Sequence, residues 1–475
     1  MINKLIFVLL NVLLIFSADA EPKSSILQLV EERVKSINAG DLNLGVYIEN
    51  LDTGKEKFAL HANRFFMPAS VAKVFTAYAA LKYLGPEYQI PTIFFADPST
   101  IKDGQLHSDL YIKFYGDPTL TYLQLVESFK VLGIKTIHGN VVIDNSFFDE
   151  NATSPGGFTW DDNPFYYAAP KNAVIIDKNT SEAWMKPSDK NGNLAQLRID
   201  RPYVLNILNK VETVKPRSQE CPYKSRYIGN NTYEVYGCMF DNLPKEIRLN
   251  FALQDTKFMI KQYIKQALKD SDIALYGNVE IGQTKNNKIL YKHLSTPVNN
   301  ILKTVLLESC NISSATLFKY MAALNTGKPG NDEDGRVLLQ NMLEKIGISN
   351  GDVAIYDGSG ESRYNLVTPK AVVQLLKAAY NNKKIRSYFI GALPQYGGDG
   401  TLRSRGIQGD YGQFVYAKTG TFRGVSALAG YYLPPDGSKY AFAMMSNNSR
   451  LSRDGAKTLE DKILYILLGK ENRSK

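Results

Sequence analysis

Cysteine, histidine and tryptophan are all scarce: 3, 4 and 2 residues in a chain of 475. Cys221, Cys238 and Cys310 fit no zinc-ligand spacing, and His61, His107, His138 and His293 stand far apart. There is no HExxH, no phosphate-binding loop and no dinucleotide fingerprint, so nothing calls for a metal, nucleotide or other cofactor. No long basic run or nucleic-acid motif is present, and a formal charge of +9 is spread along the chain. Such a surface suits an anionic cell-wall polymer or a membrane face, but scattered solvated lysines are the better reading. After the first twenty residues no apolar run approaches the length of a membrane span.

What is present begins with an export leader. Lys4 precedes the apolar run Leu5 to Phe16, and Ala18-Asp19-Ala20 has the small-x-small cleavage pattern. Residues 1–20 are therefore expected to be removed, which predicts a periplasmic location. A retained anchor is the alternative, and the run is short for one. No cysteine follows it to carry a lipid. In an oxidising compartment Cys221 and Cys238 are close enough in sequence to pair, although sequence alone leaves two separate thiols open.

The remaining ~455 residues exceed what one core usually holds, so more than one domain is expected. Ser25 to Asn38 reads as an amphipathic helix and Leu44 to Glu49 as a strand. Asp52-Thr53-Gly54 is a turn, Lys57 to His61 a returning strand, and Ser70 to Leu84 a helix stopped by Gly85-Pro86. From 86 to 295 short strand-like runs (Leu110 to Phe114, Gly139 to Asp144, Ala173 to Ile176) alternate with turn residues, predicting a β-rich insertion with a nested lobe near 185–250. Helical patterns return from 296. Gln413 to Thr419, Val425 to Leu433 and Tyr440 to Ser446 read as strands before a closing helix near Lys457 to Leu468. The flanking segments 21–85 and 296–475 would together form one domain.

Three short motifs can carry chemistry. Ser70-Val71-Ala72-Lys73 places an amine one helical turn from a hydroxyl, and a desolvated lysine near another cation can deprotonate a serine. Ser-x-x-Lys alone is weak, since Ser99 to Lys102 matches it in a Pro-Ser-Thr turn. Ser309-Cys310-Asn311 offers a hydroxyl to shuttle protons and an amide to hold a carbonyl or the lysine. Ser36-Ile37-Asn38 and Ser446-Asn447-Asn448 share its pattern. Lys418-Thr419-Gly420-Thr421 ends a strand-like run, where Lys418 can bind a carboxylate and depress Lys73, Gly420 admits a substrate backbone, and Thr421 offers an oxyanion N–H. Ser-x-x-Lys, Ser-x-Asn and Lys-Thr-Gly in that order form the penicilloyl-serine transferase signature.

With these motifs, and with 239 positions between Ser70 and Ser309, the sequence resembles the class C low-molecular-mass penicillin-binding proteins. These are the D-alanyl-D-alanine carboxypeptidase/endopeptidases of peptidase family S13. Segments covering most of the mature chain carry the likeness. They are Gly116-Asp117-Pro118-Thr119-Leu120, Val142 to Phe148, Trp160-Asp161-Asp162, Tyr166 to Pro170, Asp357-Gly358-Ser359-Gly360, Ser362 to Asn365 and Gly398 to Leu402. The resemblance implies an α/β, β-lactamase/transpeptidase-like serine peptidase domain, an antiparallel sheet flanked by helices, split by the β-rich insertion. It implies an acyl-enzyme on Ser70 with Lys73 as base, Ser309 and Asn311 in the proton relay, Lys418 and Thr419 gripping substrate, and the Ser70 and Thr421 amides as oxyanion donors. Asp162, Tyr167 and Arg363 would meet the far end of a peptidoglycan stem peptide, and β-lactams would acylate the same serine. Two positions depart from relatives. Cys310 stands where Asp is common and is expected to face away from substrate, and the charged Arg423 follows Lys-Thr-Gly-Thr. A β-lactamase is the nearest alternative, disfavoured by the insertion and by the lack of a recognisable deacylation carboxylate. A non-catalytic cell-wall-binding scaffold is the other, disfavoured by intact Ser70, Lys73 and Lys418. Bond preference, oligomeric state and the particular stem peptide lie beyond the sequence.

Overall fold

A computed structural model describes residues 28–30, 32, 34, 42–150, 156–159, 165–216, 221–243, 246–285, 288–405 and 412–468. The proposed leader, residues 1–20, lies outside the described residues. Of the expected helix Ser25 to Asn38, residues 28–30, 32 and 34 are described and are helical.

The two ends of the chain build one antiparallel sheet. Its strands run in the order Glu56–Leu60, Asn43–Asn50, Tyr440–Asn447, Val425–Tyr432, Val415–Phe422. The first strand pairs with the last, Val46 opposite Met444 and Ile48 opposite Phe442, so closing the sheet requires both ends of the chain. Side chains alternate between two covered faces, as the pleat dictates. Tyr47, Ala427, Ala429, Tyr431, Ala441, Ala443 and Met445 face a helical layer containing Lys73–Tyr83, Val298–Leu306, Asn311–Thr326 and Pro369–Asn381. Four of those seven are alanines, which lets the helices sit close. Val46, Ile48, Leu428, Phe442 and Met444 point the other way, against Leu459, Ile463, Leu464 and Leu467 of the closing helix Arg453–Leu467.

Between the halves lies a separate apolar core drawn from Phe94 to Val279. It is organised around a mixed five-stranded sheet in the order Val279–Ile281, Val141–Asp144, Leu110–Phe114, Pro91–Phe95, Ile289–Leu294. The insertion is not purely β: helices Tyr122–Val131 and Thr256–Asp270 pack on it, capped by Thr121 and Asp255. Two three-stranded sheets follow, one containing Thr180–Lys186 and the other containing Asn206–Val214, Thr232–Phe240 and Lys224–Gly229. In the second, Cys221 and Cys238 are paired, with Cα atoms 5.4 Å apart. The expected strand Ala173 to Ile176 is irregular instead. Buried Asn179 explains this: its amide donates to Pro170 O and Val174 O and accepts from Ile176 N, taking up polar groups that a ladder would otherwise use.

Arg405, in the segment before the last three strands, binds the closing helix, and Ser426 joins the same cluster to the sheet. The Arg405 guanidinium, 3% exposed, donates to Glu460 at 2.8 Å, to Asp461 at 2.6 Å and to Lys457 O at 2.9 Å. Ser426 on the sheet also donates to Glu460, at 2.6 Å. Removing one partner of a buried pair strands the other charge, at a cost of ~3–5 kcal/mol. Arg405→Met is accordingly expected to lose about that much stability in urea unfolding. A loss below ~1 kcal/mol would show that water solvates the pair.

Candidate active site

Ser70 sits in a single 3-10 turn, Ala69–Ala72, that leads into helix Lys73–Tyr83, so it precedes the α-helix by one turn. The turn is tight: Ala69 has φ +45°, a left-handed conformation uncommon for alanine. Gly360 presses on it from the other side, and a Cβ there would lie 2.1 Å from Ala69 O. Lys73 is completely buried. Its Nζ lies 2.9 Å from Ser70 Oγ and 2.7 Å from Asn311 Oδ1, and it also donates to Ser359 O.

That set of partners determines what Lys73 does when neutral. Asn311 Oδ1 and Ser359 O are acceptors only, so they take the two N–H bonds of a neutral amine. The lone pair is left facing Ser70 Oγ, where a base must be. Burial pushes Lys73 down to about 8, against Glu361, Asp357 and Cys310, which act to raise it, and with help from Lys171. Lys418 is pushed well below its usual range, first by burial and then by repulsion from Lys73.

Ser309 and Asn311 lie between two helices, as the sequence predicts. Ser309 has φ +62° in the link after Val298–Leu306, and Asn311 opens helix Asn311–Thr326. Lys418 Nζ donates to Ser309 Oγ at 2.9 Å and to Thr419 O at 2.7 Å, joining the second and third motifs. Thr419 Oγ1 donates to Thr401 Oγ1 at 3.0 Å. Gly420 is the contact point between the strand and the nucleophile turn. A Cβ there would meet Pro68 O at 2.2 Å and Ser70 N at 3.1 Å. Five sequence-predicted residues, Ser70, Lys73, Ser309, Asn311 and Lys418, are thus joined into two hydrogen-bonded groups along one cleft of about 1080 Å³.

The cleft continues past Thr421 and Arg423, both exposed, to Tyr167 and Arg363. Arg363 donates to Thr159 Oγ1 at 3.0 Å and lies 5.0 Å from the Phe422 ring centre. Tyr167 stacks on Phe165, and its backbone O accepts from Asn311 Nδ2 at 3.0 Å. Asp162 lies outside the described residues. Cys310 is half-buried in the cleft wall; it packs on Ala169, Ile175, Ala252 and Ile312, and its Sγ accepts from Ser313. By contrast, Ser99 donates to Asp97 and Lys102 is exposed, so the second Ser-x-x-Lys match builds no site.

Sequence reasoning missed the buried charges behind Lys73. Asp357 accepts N–H bonds from Ser359, Gly360, Glu361 and Ser362 and from Asn365 Nδ2. Burial alone would raise this carboxyl, but the bonds from Ser359, Asn365 and the backbone hold it below its usual range. Glu361 pairs with Lys171 at 2.9 Å, both buried. The Asp-Gly-Ser-Gly turn was a visible signal for Asp357; nothing local marks Lys171 as buried.

Such a site, a serine activated by a buried lysine on a helix-flanked antiparallel sheet, defines a serine peptidase of the penicillin-recognising, acyl-enzyme class. The chain belongs to the D-Ala-D-Ala carboxypeptidase 3 (S13) family, whose model matches residues 27–468. It is 30% identical over 429 residues to the D-alanyl-D-alanine carboxypeptidase DacB of Haemophilus influenzae, covering 87% of this chain and 88% of that one. A D-alanyl-D-alanine carboxypeptidase of Actinomadura sp. strain R39 is 28% identical, covering 85% and 77%. The crystal structure of penicillin binding protein 4 from Haemophilus influenzae superposes with a TM-score of 0.83 at 29% identity, over 93% of this chain and 99% of that one. The chain is a serine-type D-Ala-D-Ala carboxypeptidase of this family.

With neutral Lys73 as the expected base, acylation should rise about tenfold per pH unit on the acid side. It should level off above about 8. Stopped-flow penicillin acylation checks this, and a flat profile from pH 6 to 9 would count against Lys73 as base. Separately, Gly420→Ala should push the strand away from Ser70 and slow acylation by about tenfold or more, while thermal unfolding shows the protein still folded.

Proposed function

We propose that Ser70 Oγ attacks the carbonyl of the penultimate D-Ala in a peptidoglycan stem peptide while Lys73 takes its proton. The C–N bond then breaks, the leaving amine takes a proton through Lys73 and Ser309, and water later hydrolyses the Ser70 ester. The observation that carries this reading is the arrangement at Lys73 Nζ, whose two fixed acceptors leave only Ser70 Oγ for the lone pair. The amides of Ser70 and Thr421 stabilise the oxyanion, and Lys418 with Thr419 holds the substrate carboxylate. Tyr167, Arg363 and Asp162 receive the far end of the stem, and Gly420 lets the substrate backbone lie against the strand.

The enzyme works outside the cytoplasm after removal of residues 1–20, where its substrate is. β-Lactams acylate Ser70, and water hydrolyses the resulting ester slowly. Glu361 lines the cleft but both of its oxygens are engaged, by Lys171 and by Ser359 Oγ, which leaves it poorly placed to activate water. The cleft extends from Ser70 to Tyr167, Arg363 and Arg423, which supports a reading in which D-alanyl cross-links are cleaved as well as terminal D-Ala bonds.

Fluorescent penicillin should label the wild type covalently and durably, and Ser70→Ala should not be labelled. Digestion of purified monomeric and cross-linked muropeptides should release D-Ala from the first and monomers from the second. Absence of label on folded wild type would overturn the acyl-enzyme reading, and intact cross-links would remove the endopeptidase part. Nitrocefin turnover that outpaces D-Ala release would favour a β-lactamase.

A further inference from the structure

Glu361 and Lys171 are buried, charged, and unused by the mechanism above. Lys171 Nζ lies 3.0 Å from Glu361 Oε1 and 2.9 Å from Oε2. Ser359 Oγ donates to Glu361 Oε2 at 2.8 Å, and the backbone O of the same Ser359 accepts from Lys73 Nζ. One residue therefore separates the ion pair from the base. The two partners come from different parts of the chain. Glu361 follows the Asp357 turn in the catalytic half, whereas Lys171 ends the Tyr166–Pro170 stretch of the insertion. Lys171 is seated by Lys319 of helix Asn311–Thr326, whose Nζ donates to Lys171 O at 3.2 Å.

Taking two charges out of water costs several kcal/mol per ion. A pair of apolar side chains would fill the same space without that cost, so the charge itself is what the location exploits. We propose that the buried Lys171–Glu361 ion pair is a positioning element that sets the proton affinity of Lys73 and ties it to the seating of the insertion on the catalytic half. The proposal rests on Lys73 being the base.

Two opposed fields act on Lys73. Glu361 favours the ammonium form of Lys73, and Lys171, farther along the same line of contacts, disfavours it. The other charged or titratable groups facing Lys73 are Asp357 in the turn beside Glu361, Cys310 in the Ser-x-Asn link, and Lys418 on the strand. Asp357 is tied into its own ring of N–H donors, and Lys418 answers to Ser309 and Thr419. Behind Lys171 stand Lys319 and Asp332, 3.5 Å apart. Among these groups the Lys171–Glu361 pair spans the boundary with the insertion. A shift of the insertion that drew Lys171 away would leave Glu361 acting alone on Lys73, raising its proton affinity and slowing acylation at neutral pH.

The test is the pH dependence of penicillin acylation in single and double variants, because a merely structural role would not move it in opposite directions. Glu361→Gln should shift the acid-limb midpoint down by about one pH unit, and Lys171→Met should shift it up by a smaller amount, about half a unit. The double variant, free of stranded charge, should lie between the singles. It also serves as the readout if either single variant fails to fold: its midpoint should then fall below wild type, since Glu361 exerts the larger effect of the two. Midpoints that stay within a few tenths of wild type, or singles that move in the same direction, would overturn the proposal. If wild type itself shows no acid limb near 8, it is the assignment of Lys73 as base that fails, a distinguishable result.

Discussion

A lysine amine held dry against a serine hydroxyl is the constraint that the rest of the structure serves. An ammonium in a dry site is costly, and its charge persists only where fixed dipoles and counter-charges replace water. At Lys73 these come from three separated segments. Asn311 opens a helix, Ser359 O belongs to a turn, and Ser70 lies one helical turn back in the chain. None of these works unless the others are in place, so the chemistry depends on tertiary closure and not on the local motif.

The same demand explains the two tight glycine contacts. The Ser70 turn is squeezed between Gly420 on the sheet edge and Gly360 on the Asp357 turn, and at both places a methyl group would collide with backbone oxygen. The close approach brings the Lys418 strand beside the nucleophile, and it brings Ser359 O within reach of Lys73. Lys418 is itself buried and pushed down, with Ser309 Oγ and Thr419 O as its partners. Burial is the first cause of the lowering at both lysines, and Lys73 adds to it at Lys418, which moves a residue type with a high intrinsic pKa toward neutrality.

How much of this was legible depended on whether the signal was local. The five catalytic-sheet strands were readable because alternation and turn residues report directly on a pleated element, and the bounds shifted by only a few residues. Ser70, Lys73, Ser309, Asn311 and Lys418 could be singled out because three ordered motifs constrain one another, and the structure brings them together in two hydrogen-bonded groups, whereas Ser99 to Lys102 shows how little one motif means. Ala173 to Ile176 was misread because the buried amide of Asn179, a tertiary feature, takes over the backbone's hydrogen bonds. Helix Thr256–Asp270 was lost inside a stretch read as β-rich, although its Asp255 cap was there to see. Lys171 and Glu361 had no local signature at all: one follows a proline, the other a glycine, and neither stands in a motif. Only the fold reveals that each is the other's counter-charge.

That last point changes how the insertion is to be understood. Its core is separate from the catalytic sheet, which would allow it to be a passenger. The contacts say otherwise. From one short stretch, Tyr167 O holds the amide of Asn311, leaving Asn311 Oδ1 directed at Lys73, and four residues later Lys171 neutralises Glu361 beside the base. Without that stretch Asn311 Nδ2 loses its acceptor and Glu361 becomes a buried anion with no cation, a state that costs several kcal/mol. The catalytic half therefore holds Ser70 and Lys73, but two of the interactions that orient and charge-balance their neighbours come from the insertion. The split gene order, with Ser70 before the insertion and Ser309 after it, places the completing residues where chain folding must bring all three parts together before the lysine can act.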